Sequence, residues 1–177
     1  MTRSGNMTND KIRNAAIQDT TNLYADLTNC TAQNCSLPAV SFVKPDGNLD
    51  GHPASSKVNL FEGFVKKIVD LTQANNSLAH DTAIFITFDE GGGYYDSGYV
   101  QPLDYFGDGT RITLMIVSDY TKGGHISHTY TDHVSILKFI EANWSVPPTT
   151  KRSRDNLPNR SPGRIRIDRQ MDRRLAI

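Results

Sequence analysis

Residues 82–93 read TAIFITFDEGGG. The first seven, Thr82 to Phe88, are almost continuously apolar, the pattern of a strand covered on both faces. The run stops abruptly at two carboxylates, Asp89 and Glu90, followed by three glycines. A strand covered on both faces needs helices on either side of its sheet, and the neighbouring text supplies them. Upstream, Leu60, Phe61, Phe64, Val65, Ile68, Val69 and Leu71 recur at intervals of three and four, with Glu62, Lys66, Lys67 and Asp70 between them. That spacing predicts an amphipathic helix over 60–71. Downstream, Val134 to Asn143 predicts a last helix with Val134, Leu137, Phe139 and Ile140 as its apolar members.

Further out, residues 39–43 (AVSFV) predict a short strand ended by Lys-Pro-Asp-Gly turn chemistry. Residues 111–117 (RITLMIV) predict another buried strand. Residues 9–28 predict a helix broken near Asp19-Thr20, with Leu23, Tyr24 and Leu27 on one face. Strands alternating with helices predict an α/β fold, a mostly parallel sheet with helices on both faces.

At 177 residues and 37% hydrophobic content the chain suits one medium domain. No apolar run reaches the roughly 18 residues of a spanning helix. Met1 to Lys11 lacks an apolar core, so no signal peptide is read there. The formal net charge of zero hides a split: residues 151–177 carry nine basic and three acidic groups, a net of +6, and residues 1–150 carry −6. The basic segment has no aromatic residue to stack on a base, and the body is acidic, so no nucleic-acid partner is expected. Residues 160–177 are expected to form an Arg-rich, disordered tail. Cys30 and Cys35 stand too far from other ligands for a local zinc site. They read either as a small disulfide loop, in an oxidising compartment, or as two free thiols.

Polar groups of open α/β sheets gather beyond the carboxyl ends of the strands. Here the first strand leads to Asp50-Gly-His52-Pro53, the second to Asp89-Glu90, and the third to His125, His128, Asp132 and His133. Adjacent carboxylates repel, so a buried pair calls for a cation or donors, and glycines let backbone approach an ion or substrate closely. An acidic turn with a flexible hinge is the plain alternative. Three imidazoles within nine residues suit metal or proton chemistry, although no HExxH helix is present. Asp132 could orient His133 or cap the helix that begins there. His80 precedes a strand and reads as a surface residue. No nucleophile elbow, Walker loop or dinucleotide fingerprint occurs.

Taken in order, LPAVSFVKPDGNLDGHPASS (37–56), TAIFITFDEGGGYYDSGYVQPLDYFGDGTRI (82–112), GGHISHTYTDHVSILKFIEANW (123–144) and SRDNLPN (153–159) resemble the bacterial phosphoesterase family of acid phosphatases and phospholipases C. The acid-phosphatase-like branch is the most similar. The resemblance implies an alkaline-phosphatase-like α/β sandwich, with residues 1–159 as the C-terminal part of the phosphoesterase domain. The family's N-terminal half, which carries its nucleophile, has no counterpart in this text. It implies a phosphate-ester substrate hydrolysed through a phosphoryl-enzyme, with catalytic roles for His52, Asp89, Glu90, His128 and His133. Asp89 and Glu90 are the implied ligands of a divalent metal of unspecified identity. The family also implies a periplasmic or secreted location. The alternative function is a truncated, non-catalytic remnant that binds phosphate or a partner. With half of the sheet absent, self-association is expected.

Overall fold

The computed structural model describes residues 10–96, 105, 109–156 and 174–176. Two helices, α1 (Asp10–Ala16) and α2 (Thr20–Asn29), are separated where the sequence predicts a break. Asp19 is extended there, and its carboxylate accepts from the Thr21 N–H at 2.8 Å and the Thr21 hydroxyl at 2.7 Å. It thereby caps donors that the first turn of α2 leaves unpaired. At the end of α2, Cys30 is joined to Cys35 by a disulfide. Strand β1 (Val40–Ser41) and the long helix α3 (Val58–Ala74) follow. Then come the short helix α4 (Asn76–Ala79), strands β2 (Thr82–Thr87) and β3 (Leu114–Val117), and helix α5 (His133–Trp144). A 3₁₀ turn at Arg154–Asn156 and strand β4 (Arg174–Ala176) complete the described chain.

The sheet order is β1-β4-β2-β3. Alternation along β2 divides the core in two, because successive side chains of a strand point to opposite faces. Ile84 and Ile86 join Leu27, Leu37, Phe64, Ile68 and Leu78 on the face covered by α2 and α3. Ala83 and Phe85 meet Ile136, Phe139 and Trp144 of α5 on the other. Helix α3 buries Phe64, Ile68 and Thr72, four residues apart, as its sequence period requires. Its first turn departs from expectation: Leu60 is exposed. The Asn75 amide donates to the carbonyls of Leu27 at 2.7 Å and Cys30 at 3.0 Å, tying the end of α2 to the end of α3.

Two features of the sheet correct the sequence reading. First, the sheet is mixed: β4 runs parallel to β1 and β2, whereas β3 runs antiparallel to β2, with Thr87 opposite Leu114 and Ile84 opposite Val117. A parallel neighbour would need a crossover, usually a helix, to carry the chain back, and none lies among the described residues between β2 and β3. Second, β3 is not buried on both faces; Met115 is 45% exposed. The expectation of a disordered tail falls largely outside the described residues. Within it, Arg174–Ala176 form the strand between β1 and β2. Among the described residues, no helix is long and apolar enough to cross a membrane.

Candidate functional site

The antiparallel course of β3 decides which strand ends meet. β1 and β2 both finish at one end of the sheet, and β3 leaves from the other. There Asp119, just past β3, meets His80, just before β2, with Oδ2 and Nδ1 2.5 Å apart on the surface. The third expected strand exit therefore points away from the first two. Only the return of residues 118–132 brings the start of α5 back to the shared end.

A cavity of about 860 Å³ lies at that end. Lys44, His52, Asp89, Glu90 and His133 line it. Of the residues proposed from the sequence, His52, Asp89, Glu90 and His133 are thus brought together. His128 is not among the lining residues and is exposed, as is His125.

The loop carrying His52 is built from its own polar groups. The Asp50 carboxylate accepts from the His52 N–H at 2.8 Å, and the His52 carbonyl accepts from Ser55 and Ser56 N–H groups at 3.1 and 2.7 Å. Gly51 takes φ +78°, and a Cβ there would stand 3.2 Å from the Phe61 Cβ, so a larger residue would be strained in its backbone and would crowd Phe61. The imidazole is oriented as well. Its Nδ1 accepts from the Ala54 N–H at 3.1 Å, which puts the proton of the neutral ring on Nε2. That Nε2 faces Glu90 Oε1 at 3.6 Å.

The carboxylate pair is held from both sides. Glu90 Oε2 accepts from the Gly92 N–H at 2.9 Å, and Lys44 Nζ lies 3.6 Å from Asp89 Oδ2. The Tyr94 hydroxyl donates to the Gly51 carbonyl at 3.2 Å, fastening the Glu90 loop to the His52 loop. Oxygen donors of this kind suit a hard divalent cation. Among the described residues, however, no group of three His, Cys, Asp or Glu side chains converges. Asp89 and Glu90 alone do not complete a coordination shell.

His133 is the first residue of α5, and its position follows from the cap before it. Asp132 accepts from the Ser135 N–H at 3.0 Å, while the Ser135 hydroxyl accepts from the Asp132 N–H at 3.1 Å, a capping box. Asp132 also pairs with Arg154 at 2.5 Å. Of the two roles open to Asp132 in the sequence, the structure shows the cap. The His133 ring instead meets the chain just beyond β2, with Nε2 2.8 Å from the Phe88 carbonyl. A carbonyl only accepts, so Nε2 carries hydrogen and the neutral ring keeps its lone pair on Nδ1.

Sequence reasoning passed over Lys44, reading KPDG as turn chemistry alone. The available signal was a cation directly beyond the carboxyl end of a strand. Arg111 also lines the cavity, but Asp96 engages it through Nε at 2.8 Å and Nη2 at 2.7 Å. Nor is the strand-end hydroxyl of Thr87 poised for attack, since it donates to the Thr113 carbonyl at 2.9 Å.

A family model described as Phosphoesterase family matches residues 3–147. The chain is 26% identical over 162 residues to a non-hemolytic phospholipase C of Burkholderia pseudomallei, covering 77% of this chain and 23% of that protein. It is 28% identical over 139 residues to phospholipase C B of Mycobacterium tuberculosis, covering 65% and 26%. A phosphate-repressible acid phosphatase of Penicillium chrysogenum is 28% identical over 141 residues, covering 80% and 30%. The chain therefore spans between a fifth and a third of the length of these relatives. No solved structure matches.

Proposed function

The chain belongs to the phosphoesterase family, and from that premise we propose that the cavity at the ends of β1 and β2 is part of a phosphoric-ester hydrolase site. The observation that carries the reading is the gathering of Lys44, His52, Asp89, Glu90 and His133 around one cavity. Lys44 and the Nε2–H of His52 hold phosphoryl oxygens, one as a point charge and one as a hydrogen-bond donor. While Nδ1 accepts from Ala54, His52 donates a hydrogen bond and not a proton, because loss of the Nε2 proton would leave an imidazolate. His133 is the proton carrier. Its Nδ1 takes a proton from the attacking group and returns it to the leaving alkoxide, and Nε2 stays bonded to Phe88 throughout.

A divalent metal held partly by Asp89 and Glu90 belongs to this proposal; it would supply Lewis-acid polarisation of the phosphoryl group. So do the phosphoryl-enzyme route, the alkaline-phosphatase-like sandwich and a periplasmic or secreted location. The Cys30–Cys35 disulfide supports that location, since such bonds persist in oxidising compartments.

The test is turnover of p-nitrophenyl phosphate across pH and added divalent metals, in the parent chain and in His133→Gln. Because the resemblance places the nucleophile in a half with no counterpart in this text, the parent chain is expected to turn over slowly at most, and the metal-dependent turnover it shows should fall at least a hundredfold in kcat/KM in the variant. Equal activity in both would overturn the assignment of His133. A second reading is favoured by the engaged Thr87 hydroxyl: a module that binds phosphate without turning it over. It predicts saturable phosphate binding with no hydrolysis at any pH or metal concentration.

A further inference from the structure

Among the described residues, two with a permanent positive charge line the cavity, Lys44 and Arg111, and the chemistry above uses only the first. They stand on opposite sides of β2. Lys44 lies just past β1, and Arg111 leads into β3, in a sheet ordered β1-β4-β2-β3. The antiparallel ladder sets Thr87 opposite Leu114. The same register, carried past the end of β2, brings Arg111 level with Glu90 and Thr110 level with Gly91. Two contacts follow it. The Thr87 hydroxyl donates to the Thr113 carbonyl at 2.9 Å, and a Cβ added to Gly91 would collide with the Thr110 hydroxyl oxygen. Arg111 therefore starts about 5 Å, one strand spacing, from Glu90, whose Oε1 faces His52 Nε2 at 3.6 Å. Lys44 holds the other flank, 3.6 Å from Asp89.

Asp96 aims the guanidinium. Its Oδ2 accepts from the Arg111 backbone N–H at 2.8 Å, and its Oδ1 accepts from Nε at 2.8 Å and Nη2 at 2.7 Å. One carboxylate, only 10% exposed, thus fixes both the main chain and the side chain of Arg111. A guanidinium has five N–H donors and keeps its charge. Asp96 occupies two of them, on one edge, and no acceptor among the described residues engages the rest. Arg111 does not pair with Glu90, its neighbour in register, which accepts from the Gly92 N–H instead. The outer edge, with one N–H from each Nη, is a planar fork that matches two oxygens of a phosphoryl group.

We propose that Arg111 is a second anion-holding residue of the cavity, taking two non-bridging phosphoryl oxygens from the side opposite Lys44, and that Asp96 is the residue that positions it. The part of Arg111 in turnover rests on the hydrolase reading; its binding of a phosphoryl group does not. Because Asp96 already holds the fork, little side-chain freedom is lost when the ligand arrives. Cations on both flanks also offset the repulsion between the ligand and the Asp89 and Glu90 carboxylates.

Titrating the 15N,13C-labelled chain with inorganic phosphate tests this, with the Arg111 Nε and Nη resonances followed beside the His52 and His133 rings. In the parent chain the guanidinium should shift with the same dissociation constant as the rings. Arg111→Met should weaken that constant at least tenfold, and Arg111→Lys, a point charge without a fork, should stay at least threefold weaker than the parent. Asp96→Asn removes a negative charge, so charge alone would tighten phosphate binding. Loss of aim should instead weaken it at least threefold, with the Arg111 Nε resonance already displaced before phosphate is added. Rings that move while the guanidinium stays still, or an Arg111→Met chain that binds as tightly as the parent, would overturn the role of Arg111 and leave the hydrolase reading standing. A guanidinium that moves without the rings would support the anion site and count against that reading. If neither moves, both fall. An Asp96→Asn chain that binds phosphate as tightly as the parent, or more tightly, would overturn the positioning role. The guanidinium shift is read in the parent chain, so a variant that fails to fold leaves that result decisive.

Discussion

Replacing Asp132 tests how the protein holds His133 in place. Two residues, Ser135 and Arg154, bond to this side chain. As N-cap it accepts from the Ser135 N–H at 3.0 Å, and through its other oxygen it pairs with Arg154 at 2.5 Å. Loss of an N-cap costs about 1 kcal/mol, within a range of roughly 0.5–2. The pair is only partly shielded, with the Arg154 and Asp132 side chains 35% and 22% exposed, so it contributes about 1 kcal/mol at most. Asp132→Ala removes both and should destabilise by about 2 kcal/mol, or roughly 4–8 °C in Tm for a chain of this length. Asp132→Asn keeps a side chain that caps equally well and removes only the charge, so it should lose no more than about half as much. Thermal unfolding followed at 222 nm, at fixed protein concentration, measures both. Equal Tm values for the two variants would refute the division between cap and ion pair. Values within about 1 °C of the parent for both would refute the role of Asp132 altogether.

A second test uses the buried carboxyls Glu141 and Asp155, which pack α5 against the 3₁₀ turn. Burial and then the hydrogen bond to Asp155 raise the Glu141 carboxyl above its usual 4.5, and bonds from Ser153 and the Thr149 N–H hold Asp155 well below its usual 3.8. The Glu141 proton thus stabilises the fold below pH 4.5 and is lost as pH rises through the raised value. The Asp155 charge stabilises above pH 3.8 and is lost as pH falls. Glu141→Gln keeps a donor towards Asp155 and cannot ionise, so its Tm advantage over the parent should grow from pH 4.5 upward; a pH-independent difference would contradict this. A third concerns the disulfide. Opening its small loop, at a sequence separation of 5, by a Cys30→Ser, Cys35→Ser double change should cost about 2 kcal/mol on chain entropy. Unfolding in urea measures it, and an unchanged midpoint would count against it.

Local patterns were legible in the sequence, and long-range directions were not. The run at 82–88 gave a strand covered on both faces because its composition reports burial directly. The four-residue spacing of Phe64 and Ile68 marked the buried stripe of α3 in the same way, while Thr72, buried one turn further on, lay beyond the expected range of 60–71. Asp89 and Glu90 could be found because they follow β2 within three residues, and His52 because it stands in the polar loop that follows β1. Burial says nothing of strand direction, however, so a mostly parallel sheet was expected with no antiparallel member singled out, and the exit of β3 was grouped with the other two strand ends. The missing helix pattern between residues 88 and 113 was the signal for an antiparallel neighbour. His128 was grouped with His133 by their spacing and by the family resemblance, but only His133 sits on the helix that Asp132 anchors. β4 escaped notice because three residues in an Arg-rich segment carry no period, and their pairing is set by two edges far away in sequence.

In the proposed function Lys44, His52, the Asp89-Glu90 pair and His133 form one phosphoryl-binding cavity. Titrating the 15N-labelled chain with inorganic phosphate, with NMR detection of backbone amides and histidine rings, tests it most directly. The ring nitrogens of His52 and His133 and the amides of Gly91 and Gly92 should shift together with one dissociation constant, and the His128 ring should stay still. Lys44→Met should weaken that constant at least tenfold, about 1.4 kcal/mol. Phosphate that moves His128 and leaves His52 and His133 unmoved, or that binds Lys44→Met as tightly as the parent, would contradict the account.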